Sequence, residues 1–466
     1  MSESRSGGAE PGSEEFQDSL FQKDADRVYG ELLARVGEAA PRPRLAPTRR
    51  AVELLGDPQR SYPIVHITGT NGKTSTSRMI ESILRAYGLR TGLMTSPHLV
   101  RVNERIVIDG RPISNEALVA NWEDIRPYLE MVDAELREAD EEPLTFFEAL
   151  TVLAFASFAD APVDVAVIEV GMGGEWDSTN VGDGQVAVFT PIALDHTARL
   201  GRTVAEIART KSGIVKPAAA VVSASQSAEA LAELQRAAGL SEASLAVEGS
   251  GFSLLGTTVA VGGQLIDVQG VAGRYEGLFL PLYGDHQAHN AAVAIAAVES
   301  FLGAGTRPLD PEVLAEGLAT ATSPGRLQLI GTEPTILVDA AHNPHGASAL
   351  AQAIECYFHF DRVVCVLGVL GDKDAAGIVA ALEPVVECFV VTKSSSERAV
   401  APETLAEVVA RIAGADRVSV EPSSGEAIEQ ARELAEESPR GAVLVTGSIT
   451  LVGEAMGLAL DGGWKG

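Results

Sequence analysis

Cysteine, basic charge and long hydrophobic runs are all in short supply in this chain of 466 residues, and each shortage removes a class of answer. Cys356, Cys365 and Cys388 are an odd number of thiols with no C-x-x-C spacing, so a disulfide framework is excluded and buried reduced thiols are expected. Lysine and arginine total 36 against 64 aspartates and glutamates, a formal net charge of −28. Such a field repels nucleic acid and anionic membranes at long range, leaving only local basic sites for anionic ligands. No run approaches the roughly 18 apolar residues of a membrane span. Residues 1–17 lack the basic-then-apolar order of a secretory signal, which makes the cytoplasm the expected compartment. That stretch, MSESRSGGAEPGSEEFQ, is polar and acidic and cannot bury enough to offset its ordering entropy, so a disordered acidic tail is expected there. Internal repeats are absent too.

With 46% hydrophobic and 21% charged residues the composition is globular, and at about 150 residues per domain the length suggests two or three domains. Short apolar runs recur at 64–68, 163–170, 186–190, 336–338, 363–367, 389–392 and 443–446. Continuous apolar runs suit strands covered on both faces, as in parallel sheets. Between them, 75–87, 146–158, 288–301 and 347–356 carry helical apolar spacing. Alternation of strand and helix predicts an α/β fold. Thr322-Ser323-Pro324-Gly325-Arg326 interrupts it and suggests a boundary, because Pro and Gly end helices. The expected layout is a first α/β domain over 18–322, a hinge at 323–330 and a second α/β domain over 331–466. The acidic run from Asp133 to Glu142 lacks calcium-loop spacing and is expected to be a solvated helix end and loop.

The strongest local signal is Ile64-Val65-His66-Ile67-Thr68-Gly69-Thr70-Asn71-Gly72-Lys73-Thr74-Ser75, an apolar strand passing through a Gly-containing turn into a helix. Backbone N–H groups at such a helix start can cradle phosphate oxygens, with Lys73 adding charge and Thr74 or Ser75 a hydroxyl for Mg²⁺. The strict G-x-x-x-x-G-K-[ST] spacing is not met, since Ile67 stands five before Gly72.

Further on, Glu169 closes a very apolar strand and is followed by Gly171-Met172-Gly173-Gly174-Glu175-Trp176-Asp177-Ser178. Ligand sites in open α/β sheets gather beyond the carboxyl ends of strands, where Gly-rich backbone permits close approach. A second strand leads to Leu194-Asp195-His196-Thr197 in the same kind of position. Asp195 could orient the His196 ring, or the two could form an ordinary polar contact.

These segments, together with Ser96-Pro97-His98-Leu99, Phe146-Phe147-Glu148-Ala149, Lys211-Ser212-Gly213-Ile214, His286-Gln287-Ala288-His289-Asn290-Ala291, Pro324-Gly325-Arg326 and Asp339-Ala340-Ala341-His342-Asn343-Pro344, carry a likeness. In order and over most of the chain, from Thr68 to about Gly447, they resemble the dihydrofolate synthases and folylpolyglutamate synthases of the Mur ligase superfamily. The resemblance implies a central P-loop domain with a mostly parallel sheet and a smaller Rossmann-like C-terminal domain. It implies an ATP-dependent amide-bond-forming ligase that adds L-glutamate to dihydropteroate, and to the γ-carboxylate of reduced folates, through an acyl phosphate.

Carried residue by residue, the resemblance implies that Asn71, Gly72, Lys73 and Thr74 hold the ATP phosphates. Asn290 and Arg326 contact nucleotide, and Asp339 and His342 reach it from the second domain, with His342 a candidate base for the glutamate amine. Ser75, Ser96, Glu169 and His196 are the implied Mg²⁺ ligands, and Lys211 is the lysine that CO₂ converts to a carbamate near a second metal. Phe146, Phe147, Trp176, Asp177 and Ser178 match the pteroate pocket. Many relatives have Gly-Gly-Arg-Leu-Asp where this chain has Gly-Gly-Glu-Trp-Asp. A monomer is the family default.

Two other readings compete. A cell-wall Mur ligase would carry a nucleotide-sugar domain ahead of the phosphate loop, where this chain has 68 residues before Gly69. A non-catalytic ATP-binding switch would need no cluster of Glu169, His196 and Lys211.

Overall fold

A computed structural model describes residues 18–37 and 42–462, so the acidic tail expected at 1–17 lies outside the described residues. Two α/β lobes follow one another. The first is built on an eight-stranded sheet: β1 (Ile64–Thr68), β2 (Thr91–Met94), β3 (Ile106–Ile108), β4 (Arg111–Pro112), β5 (Val165–Glu169), β6 (Gly184–Phe189), β7 (Ala220–Ser223) and β8 (Ser244–Val247). Their spatial order is β4-β3-β2-β5-β1-β6-β7-β8. From β2 to β8 every pairing is parallel, and β3 and β4 add an antiparallel edge.

Every residue of β1 and β5 is buried, as continuous apolar runs require of central strands. The helices Lys73–Ala86 and Asp285–Gly303 cover one face of the sheet. Phe146–Asp160, packed with Gln22–Leu33, Ala46–Leu54 and Asn115–Glu138, covers the other. Phe155 and Phe158 are fully buried there, each contributing about 2 kcal/mol of transfer free energy. Register matters for function: Ile67 pairs with Glu169 and Thr68 with Phe189. Three strands therefore release their chains at one level, and the phosphate loop, Glu169 and the segment leading to His196 emerge side by side.

An antiparallel meander of β9 (Ser253–Ala260), β10 (Gly263–Gln269) and β11 (Arg274–Leu280) precedes the helix Asp285–Gly303. The second lobe has six strands: β12 (Gln328–Thr332), β13 (Thr335–Asp339), β14 (Arg362–Leu367), β15 (Cys388–Val391), β16 (Val418–Val420) and β17 (Gly441–Thr446). They lie in the order β12-β13-β17-β14-β15-β16, all parallel except β12 against β13, with a packed core on each face.

The structure departs from the expectations in three places. The hinge expected at 323–330 overlaps β12, whose Gln328 already pairs with Val338, so the crossing between lobes is shorter. Asp133 is buried rather than solvated, held by Arg35 at 3.0 Å and accepting the Leu144 N–H at 2.8 Å. Of the thiols expected to be buried, only Cys365 is fully so, and Cys356 is exposed. Among the described residues no helix is long and apolar enough to cross a membrane.

Candidate functional site

A cleft of about 890 Å³ runs from the phosphate loop between the lobes to the start of the helix Phe146–Asp160. At its centre β1 turns through Gly69 and Gly72 into the helix Lys73–Ala86. Gly72 has φ +86°, and a Cβ there would stand 2.6 Å from Asn290 Oδ1, so this position admits glycine alone without strain. Asn290 is held in turn by donating Nδ2 to Gln287 Oε1 at 3.2 Å. Lys73 curls back over the loop, donating to the carbonyls of Gly69 (3.3 Å) and Thr70 (3.2 Å). Its pKa is lowered by burial, partly countered by Glu169 and Asp195.

Glu169 is buried at the end of β5 and accepts the Thr74 hydroxyl at 3.0 Å on both carboxylate oxygens. Burial raises its pKa, while Lys73, Thr74, Arg326 and the Ser96 N–H pull the other way. The family resemblance implies Thr74 on phosphate and Ser75 on metal, while the loop itself leaves either hydroxyl open for Mg²⁺. In the structure it is Thr74 that meets Glu169. The Ser75 hydroxyl shares a hydrogen bond with Ser323 (2.9 Å) and accepts from Gln287 (3.3 Å), because successive helical residues point about 100° apart.

Lys211 ends the helix Val204–Lys211 and buries its amine against the loop, donating to the Gly69 carbonyl at 2.7 Å. Burial, reinforced by Lys73, pushes its pKa down to about 7. The backbone beside it is interlocked: a Cβ on Gly174 would lie 2.5 Å from the Lys211 carbonyl oxygen. The two glycine-containing motifs thus fit each other as a pair.

His196 starts a short helix at φ +47°, with its N–H given to Asp195 Oδ1 at 2.8 Å. Burial holds the imidazole down to about 4 against the pull of Asp195, so the ring is neutral at pH 7. Lys373, from the loop after β14, crosses the cleft to Asp195 Oδ1 at 3.0 Å. Burial alone would raise Asp195, but His196 and Lys373 overcome it and bring the carboxyl to about 2. With His196 neutral, Lys373 is the operative cation at neutral pH.

From the second lobe, Asp339 accepts the N–H groups of Leu327 and Ala341, each at 2.8 Å, and faces Arg326. Arg326 also faces Glu169, so one guanidinium looks into both lobes. His342 donates Nδ1–H to the Ala340 carbonyl at 2.9 Å, leaving an Nε2 lone pair. Burial lowers its pKa to about 4.

At the far end the cleft is lined by Phe147, Trp176, Asp177 and Ser178. Phe146 is a correction. It is buried in the core with the Arg105 guanidinium 5.1 Å from its ring centroid and does not line the cleft. The Asp177 carboxylate is engaged by its own loop, accepting the N–H of Met172 (2.9 Å), the N–H of Thr179 (3.0 Å) and the Thr179 hydroxyl (2.5 Å). These bonds brace the Gly-Met-Gly-Gly turn.

Sequence reasoning missed Lys373, Arg398 and Asn343. The signal for Lys373 was Gly371-Asp372-Lys373-Asp374, a polar break just past a buried parallel strand. Among the described residues no three His, Cys, Asp or Glu side chains converge as an all-protein metal cage. The donors present, hydroxyls with one carboxylate and one imidazole, suit a hard cation that shares phosphate oxygens.

Comparison with known proteins gives the chain its family. The Mur ligase middle domain family matches residues 67–298, and the Mur ligase, glutamate ligase domain family matches 325–449. The chain is 45% identical over 434 residues to a dihydrofolate synthase/folylpolyglutamate synthase of Mycobacterium tuberculosis, covering 89% of each. It is 34% identical over 394 residues to the dihydrofolate synthase/folylpolyglutamate synthase of Escherichia coli K12, covering 84% of this chain and 85% of the relative. The solved structure of Mycobacterium tuberculosis folylpolyglutamate synthase complexed with ADP superposes with a TM-score of 0.91 at 44% identity, over 94% of this chain and 99% of that one.

Proposed function

Because the chain belongs to the dihydrofolate synthase/folylpolyglutamate synthase family of Mur ligases, we propose that its cleft joins L-glutamate to a pterin-bearing carboxylic acid with cleavage of ATP. It is an ATP-dependent amide-bond-forming ligase of folate metabolism, a dihydrofolate synthase and folylpolyglutamate synthase. The observation that carries this reading is the continuity of one cleft from the phosphate loop, past Glu169, Lys211 and His196, to the aromatic end at Phe147 and Trp176.

A carboxylate is a poor electrophile, so the acceptor acid first takes the terminal phosphoryl group of ATP. The acceptor oxygen bonds to phosphorus as the bond to ADP breaks, giving an acyl phosphate. Asn71, Gly72, Lys73 and Thr74 hold the phosphates in this reading, Asn290 and Arg326 contact nucleotide, and Asp339 reaches it on closure. Positioning and charge neutralisation supply the rate. The α-amine of glutamate then attacks the acyl carbon and phosphate leaves. Lys373 and Arg398, on the second-lobe wall, are suited to the glutamate carboxylates. His342 accepts the amine proton at Nε2, for which a weak base suffices once the nitrogen is bonded to carbon and strongly acidic.

Mg²⁺, when bound, neutralises charge on the transferring phosphoryl group. Thr74, Ser96, Glu169 and His196 offer donors that fit two such ions, with Thr74 better placed than Ser75. Lys211 fits this set as a carbamate: its neutral amine bonds to the carbon of CO₂, one C=O electron pair moves to oxygen, and a proton is released. A pKa of about 7 leaves that amine half neutral at pH 7. Phe147 and Trp176 would stack on the pterin. The net charge of −28 supports a protein that binds neither nucleic acid nor anionic membranes, and the family default supports a monomer.

The test is incubation with ATP and L-glutamate plus either dihydropteroate or a reduced folate. ADP should form only when acceptor and glutamate are both present, with both acceptors used. ADP release that ignores the acceptor would refute the ligase reading.

A further inference from the structure

The phosphate loop is tied to the second lobe through a pair of amides. Asn71, between the two loop glycines, donates Nδ2 to Asn343 Oδ1 at 3.4 Å and accepts Asn343 Nδ2 at 3.0 Å. The second hydrogen of Asn71 Nδ2 reaches His345 Nδ1 at 3.0 Å. Asn343 is 8% exposed and precedes the helix Pro344–Tyr357, whose Gly346 N–H its Oδ1 also accepts at 2.8 Å. The side chain that starts this helix is thus the one that meets the phosphate loop of the other lobe.

Given the ligase reading above, we propose that Asn343 is a positioning residue for phosphoryl transfer. Through Asn71 it fixes the phosphate loop to the lobe carrying Asp339 and His342, so that cleft closure sets the loop's place. The chemistry of the pair supports the assignment. A primary amide is both donor and acceptor, so two facing amides lock in one reciprocal arrangement that a carboxylate or a short hydroxyl does not reproduce. The helix cap fixes one partner in the second lobe, and the Gly69–Gly72 turn fixes the other in the first. A loop displaced by even 1 Å loses much of the benefit of alignment for an in-line transfer.

A purely structural role would be capping, and the two are separable. Serine and aspartate both cap helices well, but serine is too short to reach Asn71 and aspartate cannot donate to Asn71 Oδ1. Asn343→Ser and Asn343→Asp should melt within about 2 °C of the parent, yet lower kcat/KM for ATP by about tenfold. The effect should vanish in an Asn71→Ala background, where the partner is already gone. Energy transfer between dyes on the two lobes should report closure with a non-hydrolysable ATP analogue and Mg²⁺ in the parent, and weaker closure in Asn343→Ser. Parental ATP kinetics in Asn343→Ser, or a loss undiminished by Asn71→Ala, overturns the proposal. Inactivity of the unmodified protein with both acceptors would instead sink the ligase reading itself.

Discussion

Replacing Lys211 with methionine should make the protein more stable and catalytically dead. The amine is buried, and its pKa falls from 10.5 to about 7. Below the folded value both states carry the proton and the full penalty of burying it applies, roughly 5 kcal/mol for a shift of this size. Between about pH 7 and 10.5 the unfolded chain binds a proton that the folded chain does not. Stability therefore rises with pH across that window, and the penalty is gone above it. At pH 7 about 4 kcal/mol remains, and losing the hydrogen bond to the Gly69 carbonyl returns about 1, so Lys211→Met should gain about 3 kcal/mol. For a lobe of this size that is about 5 °C in melting temperature. The assay is thermal unfolding of parent and variant from pH 6.5 to 10 in bicarbonate-free buffer, with ligase turnover measured separately in buffer that contains bicarbonate. The variant should melt higher at pH 7, with the gap closing as pH rises. A variant that melts lower at pH 7, a pH-independent gap, or retained turnover would refute the reasoning.

Gly72→Ala should raise KM for ATP at least tenfold, because a left-handed φ of +86° costs an alanine about 1 to 2 kcal/mol and its Cβ would meet Asn290 Oδ1 at 2.6 Å; an unchanged KM in initial-rate assays would show the loop to be more yielding than described. Lys373→Met should raise KM for glutamate and let the Asp195 carboxyl climb from about 2 toward its ordinary range, moving the acid limb of the pH–rate profile upward. An acid limb that stays in place would remove Asp195 from the reaction.

The sheets were legible because their central strands are buried on both faces and read as unbroken apolar runs. β9 was not, since its Thr257, Thr258 and Val259 lie exposed, and β12 pairs only at an edge with Leu329 half in water. Within the site, motifs located the loops but not the direction of each side chain. Phe146 and Phe147, like Thr74 and Ser75, are neighbours on a helix, so one faces the cleft as the other turns from it or meets a different partner. Lys373 carried no signal of its own because its partner, Asp195, belongs to the other lobe. Pairings of that kind follow from closure of the lobes, which no local pattern encodes.

The Ser96-Pro97-His98-Leu99 loop rests on the final helix, Ile449–Gly462, where a Cβ on Gly453 would come within 2.1 Å of the Leu99 carbonyl oxygen. A ribosome making this chain at its usual pace needs about 20 to 70 s to pass from one of these residues to the other. Only in the last part of that interval, once the strands and the helix Asp285–Gly303 that flank the phosphate loop have been made, does the nascent first lobe hold that loop without the wall the second lobe supplies.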